Sequence, residues 1–223
     1  MILCIADVLT SAELDIIRSV LDNAEFIDGK LTAGWHARSV KHNTQLSSKS
    51  EAAGTVRALV SQALQRNELF QMAARPKVVR PALVSRYEVG MSYGSHVDNA
   101  LMGQPELMRS DLSFTLFLND ASDYEGGELV VETPQGEESF KLAAGGMVLY
   151  PSSTLHRVET VVKGMRLVAV SWVQSLVRDP QEREILFDLD TARRAIFQQY
   201  GKTAAFDLIA KSHANLLRKW ADV

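Results

Sequence analysis

The chain has 223 residues, 46% hydrophobic and 23% charged, with a formal net charge of −3. That length suits one domain with appendages, and the charge offers no long-range attraction to nucleic acid. The single cysteine, Cys4, excludes an intrachain disulfide and reads as a small core residue. The opening run MILCIADVLTSAEL has no basic n-region, and no apolar run approaches the ~20 residues of a membrane span. No membrane association and a cytoplasmic location are expected.

Residues 1–75 form a helical and mixed support region. Thr10 and Glu13 make a capping box ahead of Leu14, Ile17, Val20, Leu21 and Ala24 at helical spacing. Ser48 and Glu51 make a second, ahead of Val56, Leu59, Val60, Ala63 and Leu64. Between them, Phe26 to Leu46 lacks helical spacing and reads as short strands or loop, with His36 and His42 in exposed or hydrogen-bonded roles. Residues 76–174 change character to short β-rich runs separated by turn residues. The expected strands are Ala82–Tyr87, Leu112–Leu118, Glu128–Thr133, Glu138–Lys141, Met147–Tyr150, Leu155–Val161 and Arg166–Trp172. Glycines at 126–127, 136, 145–146 and 164 mark the turns. Strands in this number make a double-stranded β-helix, or jelly roll, whose mouth can hold a metal and a small ligand. Residues 179–223 form a helical appendage. Asp179-Pro180 starts a helix lined by Ile185, Leu189, Ala192, Ile196 and Tyr200, and Gly201 ends it. Phe206, Ile209, His213, Leu216, Leu217 and Trp220 line the last helix. This appendage either covers a sheet face or forms a homodimer surface. The expected class is α+β, a jelly-roll core with helices packed on it and a helical tail.

His96 and Asp98 lie two residues apart, which on extended chain directs both to one side. Alone, His-x-Asp is common by chance. Here it follows a strand and a Gly/Ser-rich turn, and a second histidine, His156, opens a later strand. Two imidazoles and one carboxylate leave positions open on an octahedral ion, as iron(II) oxygenases require, whereas structural zinc takes four ligands, usually with thiolates. Arg166, ten residues beyond His156 across the Lys163-Gly164 turn, can return to the same mouth. Its planar fork suits a carboxylate ligand, although a salt bridge to Glu132 or Glu159 would also satisfy it.

His96-Val97-Asp98-Asn99, His156 and Arg166 together resemble the pattern of prolyl-4-hydroxylase-like 2-oxoglutarate dioxygenases. Asp111-Leu112-Ser113 and Gly126-Gly127-Glu128-Leu129 add to the likeness, and the extensions on both sides resemble the bacterial, iron-uptake-associated PKHD-type hydroxylases. The resemblance implies Fe(2+) on His96, Asp98 and His156, 2-oxoglutarate anchored by Arg166, O2 as oxidant, and L-ascorbate as rescuing reductant. It places Tyr87, Tyr93 and Trp172 in the pocket. Phe117 departs from it, standing where some relatives carry a co-substrate-binding tyrosine, so Tyr87 or Thr115 is expected to supply the second hydrogen bond. The implied reaction hydroxylates a substrate while decarboxylating 2-oxoglutarate to succinate. The substrate class stays open among peptidyl proline, an amino acid and a siderophore-like molecule. A cupin-like metal-binding barrel and a non-catalytic iron-responsive protein on the same fold are the alternatives.

Overall fold

A computed structural model describes residues 1–103 and 105–223. Two antiparallel sheets face each other. The major sheet runs Leu3–Ile5, Met147–Pro151, Leu112–Phe117, Arg166–Ser175, Leu83–Tyr87, Thr44–Leu46 and Phe26–Asp28, with Pro76–Val79 paired to the far end of Arg166–Ser175. The minor sheet runs Gly136–Phe140, Leu129–Thr133, His156–Val158, Ser92–His96 and Lys41–His42. This mixed helical and antiparallel architecture is the expected jelly roll.

The two-residue repeat of a strand gives the major sheet two different faces. In Arg166–Ser175, Leu167, Ala169 and Val173 point into a core shared with the helices, while Val168 and Val170 point to the minor sheet with Arg166 and Trp172. The neighbouring strand repeats the parity, with Leu112, Phe114 and Leu116 toward the helices and Ser113, Thr115 and Phe117 opposite. Helix Ser11–Leu21 presents Leu14, Ile17 and Leu21 to the helix-side core, and Glu51–Arg66 presents Val56, Val60, Ala63 and Leu64. Phe70, on the short helix Glu68–Ala74, meets Phe114 edge to face at 6.3 Å. Each such side chain removed from water contributes about 1.5–3 kcal/mol.

Several expectations need correction. Cys4 is exposed, because it lies on the outward face of the edge strand Leu3–Ile5 while Ile5 enters the core. The second long helix is capped by Ser50, which accepts from the Ala53 N–H, and not by Ser48, whose carbonyl instead receives Arg57. Leu155–Val161 is two strands, because the chain leaves the minor sheet after Val158 and Val161–Gly164 pairs with Tyr124–Gly126. The 3-10 turns and strands between residues 26 and 46 satisfy the reading of that segment as short strands or loop.

The tail forms two helices, Pro180–Tyr200 and Ala204–Trp220, with Asp179 as the first cap and Gly201 at φ 70° between them. The first buries Arg183, Leu186 and Asp190, so the predicted stripe is rotated: Ile185 and Tyr200 face solvent. The cause is polar docking. Arg75 Nη2 lies 3.8 Å from Asp190 and 2.8 Å from His213 Nε2, and Arg183 donates to the carbonyls of Val177 and Arg178. Buried polar groups must find partners, and that need outranks the apolar stripe. His213 is thus the packed helix residue its spacing indicated. No helix among the described residues is long and apolar enough to cross a membrane.

Candidate active site

His96 ends strand Ser92–His96, and His156 opens the neighbouring strand, so the two are direct cross-strand partners. Asp98 follows two residues on, and one donor atom from each residue lies within 4.8 Å of the other two. Both imidazoles are oriented the same way. His96 Nδ1 donates to the Gly94 carbonyl at 2.8 Å and His156 Nδ1 to the Thr154 carbonyl at 2.9 Å. A carbonyl only accepts, so each Nδ1 carries the proton and each Nε2 keeps its lone pair for a metal. Asp98 Oδ2 accepts from Ser113 Oγ at 2.6 Å, and Ser113 meets Ser152 Oγ at 2.7 Å. Burial, and next His156, push the His96 pKa down to about 4, which keeps the ring neutral. Tyr93 stacks on His96 at 3.7 Å, and Tyr150 meets His156 edge-on at 5.1 Å. Two neutral nitrogens and a carboxylate on one side of a site fit a six-coordinate iron(II) with open positions.

Arg166 is 1% exposed. Glu132 lies instead by Ser95 and Glu159 pairs with Arg157, so neither neutralises it, and among the described residues Arg166 forms no ion pair. Its Nε has no hydrogen-bond partner. The guanidinium carbon sits 5.0 Å from the Tyr87 ring centre and 5.6 Å from that of Phe117. A buried cation left without an anion is costly, and the fork fits the far carboxylate of a dicarboxylate ligand.

One cavity of about 1030 Å³ joins these groups, since His96, Asp98, His156, Arg166, Tyr87, Tyr93, Thr115 and Trp172 all line it. Phe117 turns its ring to the guanidinium and brings no hydroxyl; of the hydroxyl bearers expected there, Tyr87 lies against Arg166 and Thr115 lines the same cavity, and the Tyr124 phenol also faces the guanidinium. Burial raises the Tyr87 pKa, keeping its O–H protonated as a donor. Sequence reasoning missed Ser113, Ser152, Tyr150 and Lys41. Strand parity flags Ser113 and Tyr150, since each shares a face with groups of the cavity. Lys41 carried no signal, because only tertiary pairing with Tyr93 brings it here. His36 and His42 are exposed and do not line this cavity.

Residues 82–174 match the 2OG-Fe(II) oxygenase superfamily, and residues 180–222 match the PKHD-type hydroxylase C-terminal domain. A PKHD-type hydroxylase of Synechococcus sp. (strain JA-2-3B'a(2-13)) is 59% identical over 224 residues, covering 100% of both chains. Among solved structures, a prolyl hydroxylase from Trichoplax adhaerens, in complex with a hypoxia inducible factor peptide fragment, shares the fold. It has a TM-score of 0.56 at 16% identity, with 82% of this chain and 86% of that one covered. HygX from Streptomyces hygroscopicus, with nickel and 2-oxoglutarate bound, aligns with a TM-score of 0.56 at 12% identity, over 78% and 82% of the two chains. Full-length identity of this order leaves no ambiguity: the chain belongs to the PKHD-type hydroxylases, and is an enzyme of the 2-oxoglutarate- and iron(II)-dependent dioxygenases.

Proposed function

We propose that His96, Asp98 and His156 hold the iron, and that Arg166 fixes the distal carboxylate of 2-oxoglutarate with a hydroxyl from Tyr87 or Thr115 completing its anchor. The observation that carries this reading is the lone buried guanidinium of Arg166 in the cavity that also receives both Nε2 atoms. Bound iron and co-substrate supply the oxidation, with dioxygen giving one oxygen atom to succinate, as carbon dioxide leaves, and the other to a C–H bond of the substrate. The chain's own groups orient and exclude. The Gly94 and Thr154 carbonyls aim the imidazoles, Ser113 holds the Asp98 carboxylate, and Tyr93 and Trp172 wall the site.

The division into a support region at 1–75, a catalytic jelly roll at 76–174 and a helical appendage at 179–223 belongs to the same reading. So do a peptide or small-molecule substrate, absence of nucleic-acid partners, a cytoplasmic location and ascorbate as reductant. The exposed Ile185, Phe197, Tyr200 and Leu208 on the tail support a homodimer through these helices, and light scattering that finds only monomer at micromolar concentration refutes it. The central test is succinate formation from 2-oxoglutarate with iron(II), alongside metal analysis of the His96→Ala, Asp98→Ala protein. Full metal content in that double variant overturns the assignment.

A further inference from the structure

Resting on that reading, charge around the cavity separates into two parts. Lys41, Arg57, Arg80, Arg166 and Asp98 are its only Lys, Arg, Asp or Glu lining residues among the described residues, in a chain of net charge −3. Divalent iron and Arg166 are balanced by Asp98 and the two carboxylates of 2-oxoglutarate. Lys41, Arg57 and Arg80 are left over, and none forms an ion pair among the described residues.

Their settings point to a ligand. Lys41 is 5% exposed and, among the described residues, its Nζ has only the Thr32 hydroxyl at 3.0 Å, above the Tyr93 ring that covers His96. Arg57 uses Nε and Nη1 on the carbonyls of Ala82 and Ser48, which fixes it with Nη2 unbonded among the described residues. Arg80 makes no side-chain hydrogen bond among the described residues, yet it is held in place. Gly103, at φ 105°, follows strand Leu101–Met102, and a Cβ there would stand 2.6 Å from Arg80 Nη1. The same cavity has an apolar rim of Leu31, Val97 and Leu101, exposed by 67%, 37% and 60%. A half-buried cation without an anion costs free energy that a binding partner can return.

We infer that Lys41, Arg57 and Arg80 form an oxyanion subsite for the substrate, a small organic molecule that carries a carboxylate or phosphate at one end and an apolar portion over the Leu31, Val97 and Leu101 rim. The anion fixes orientation, and the apolar portion presents its C–H bond to the metal side.

The test is calorimetry on the full chain loaded with nickel(II) and saturating 2-oxoglutarate, using 3-phenylpropionate, phenyl phosphate and the neutral 3-phenylpropanamide as probes. At least one anion should bind about tenfold or more tightly than the amide, and Arg80→Gln should remove that advantage. Its 2-oxoglutarate affinity and melting temperature should match wild type, because the Arg80 side chain makes no hydrogen bond among the described residues and its backbone bonds to Trp172 and Ser171 survive the substitution. Which anion wins distinguishes a carboxylate from a phosphate substrate. Equal binding of amide and anions, no binding of any probe, or an unchanged anion affinity in Arg80→Gln overturns the subsite. Failure of wild-type protein to bind 2-oxoglutarate in the same titration overturns instead the co-substrate reading beneath it.

Discussion

Replacing Arg166 by Met removes the charge and keeps most of the side-chain volume. If the guanidinium exists to hold a dicarboxylate, the two consequences run in opposite directions. The co-substrate loses a charge-assisted, forked contact of about 1.5–3 kcal/mol, a drop in affinity of roughly tenfold to a hundredfold or more. The ligand-free fold loses an ion that is 1% exposed and, among the described residues, has no carboxylate partner and an unsatisfied Nε. Substituting an apolar chain for such a group is neutral or stabilising, by about 0–4 kcal/mol. Melting curves of the nickel(II)-loaded proteins with and without 2-oxoglutarate read both effects. Wild type should gain about 2.7 kcal/mol at a ligand concentration of about 100 times its Kd, and Arg166→Met far less at that concentration. A structural ion-pair residue predicts the reverse: a loss of about 3–5 kcal/mol in the ligand-free protein with 2-oxoglutarate affinity intact. That outcome would refute the reasoning.

Ser113→Ala deletes the 2.6 Å bond to Asp98, and metal affinity should fall about 10- to 100-fold with the fold unchanged, as followed by competition with a chromogenic chelator. Gly127 has φ 67°, and a Cβ would sit 3.1 Å from Arg166 Cδ; Gly127→Ala should therefore lose about 1–2 kcal/mol of stability by denaturant titration and weaken 2-oxoglutarate while sparing metal. The Arg66 guanidinium, by hydrogen bond, holds the Glu13 pKa at about 2, below its ordinary 4.5, so the pair's stabilisation is complete above pH 4.5 and is lost as pH falls toward 2. Since Arg66 is half-exposed, the term is about 1 kcal/mol, and Glu13→Gln should show less acid destabilisation than wild type by that amount.

The jelly roll was legible because each strand carries two alternating messages, apolar toward the helices and mixed toward the cavity. Arg166–Ser175 reads this way residue by residue, and its guanidinium lies on the face its parity dictates. The convergence of His96, Asp98 and His156 was legible through short spacings, two residues for His96 and Asp98 and a strand start for His156. The tail misled where polar partners decided packing: the Arg75, Asp190 and His213 contacts are long-range and rotate helix Pro180–Tyr200 away from its apolar stripe. Cys4 misled because one exposed position on a three-residue edge strand has no periodicity to betray it. Ser92, Gly94 and Ser95, read with Gly90 as a Gly/Ser-rich turn, instead form strand Ser92–His96, because pairing with Lys41–His42 and His156–Val158 overrides their weak propensity.

The origin of the charged groups separates two tasks. The groups proposed for metal and co-substrate stand within or beside paired strands, where register fixes them: His156 opposite His96, Arg166 opposite Tyr87. Precision of that kind suits chemistry, because reacting groups must hold their geometry without help from the ligand. The cations left over enter differently. Lys41 is in register with Tyr93 but on a two-residue edge strand after a 3-10 turn, Arg57 comes from a helix, and Arg80 lies in the link between two strands. Such positions can vary in sequence without disturbing the register of the central strands. On the proposed subsite, substrate choice changes through Lys41, Arg57 and Arg80, while the oxidation chemistry stays with the central strands of the sheet pair.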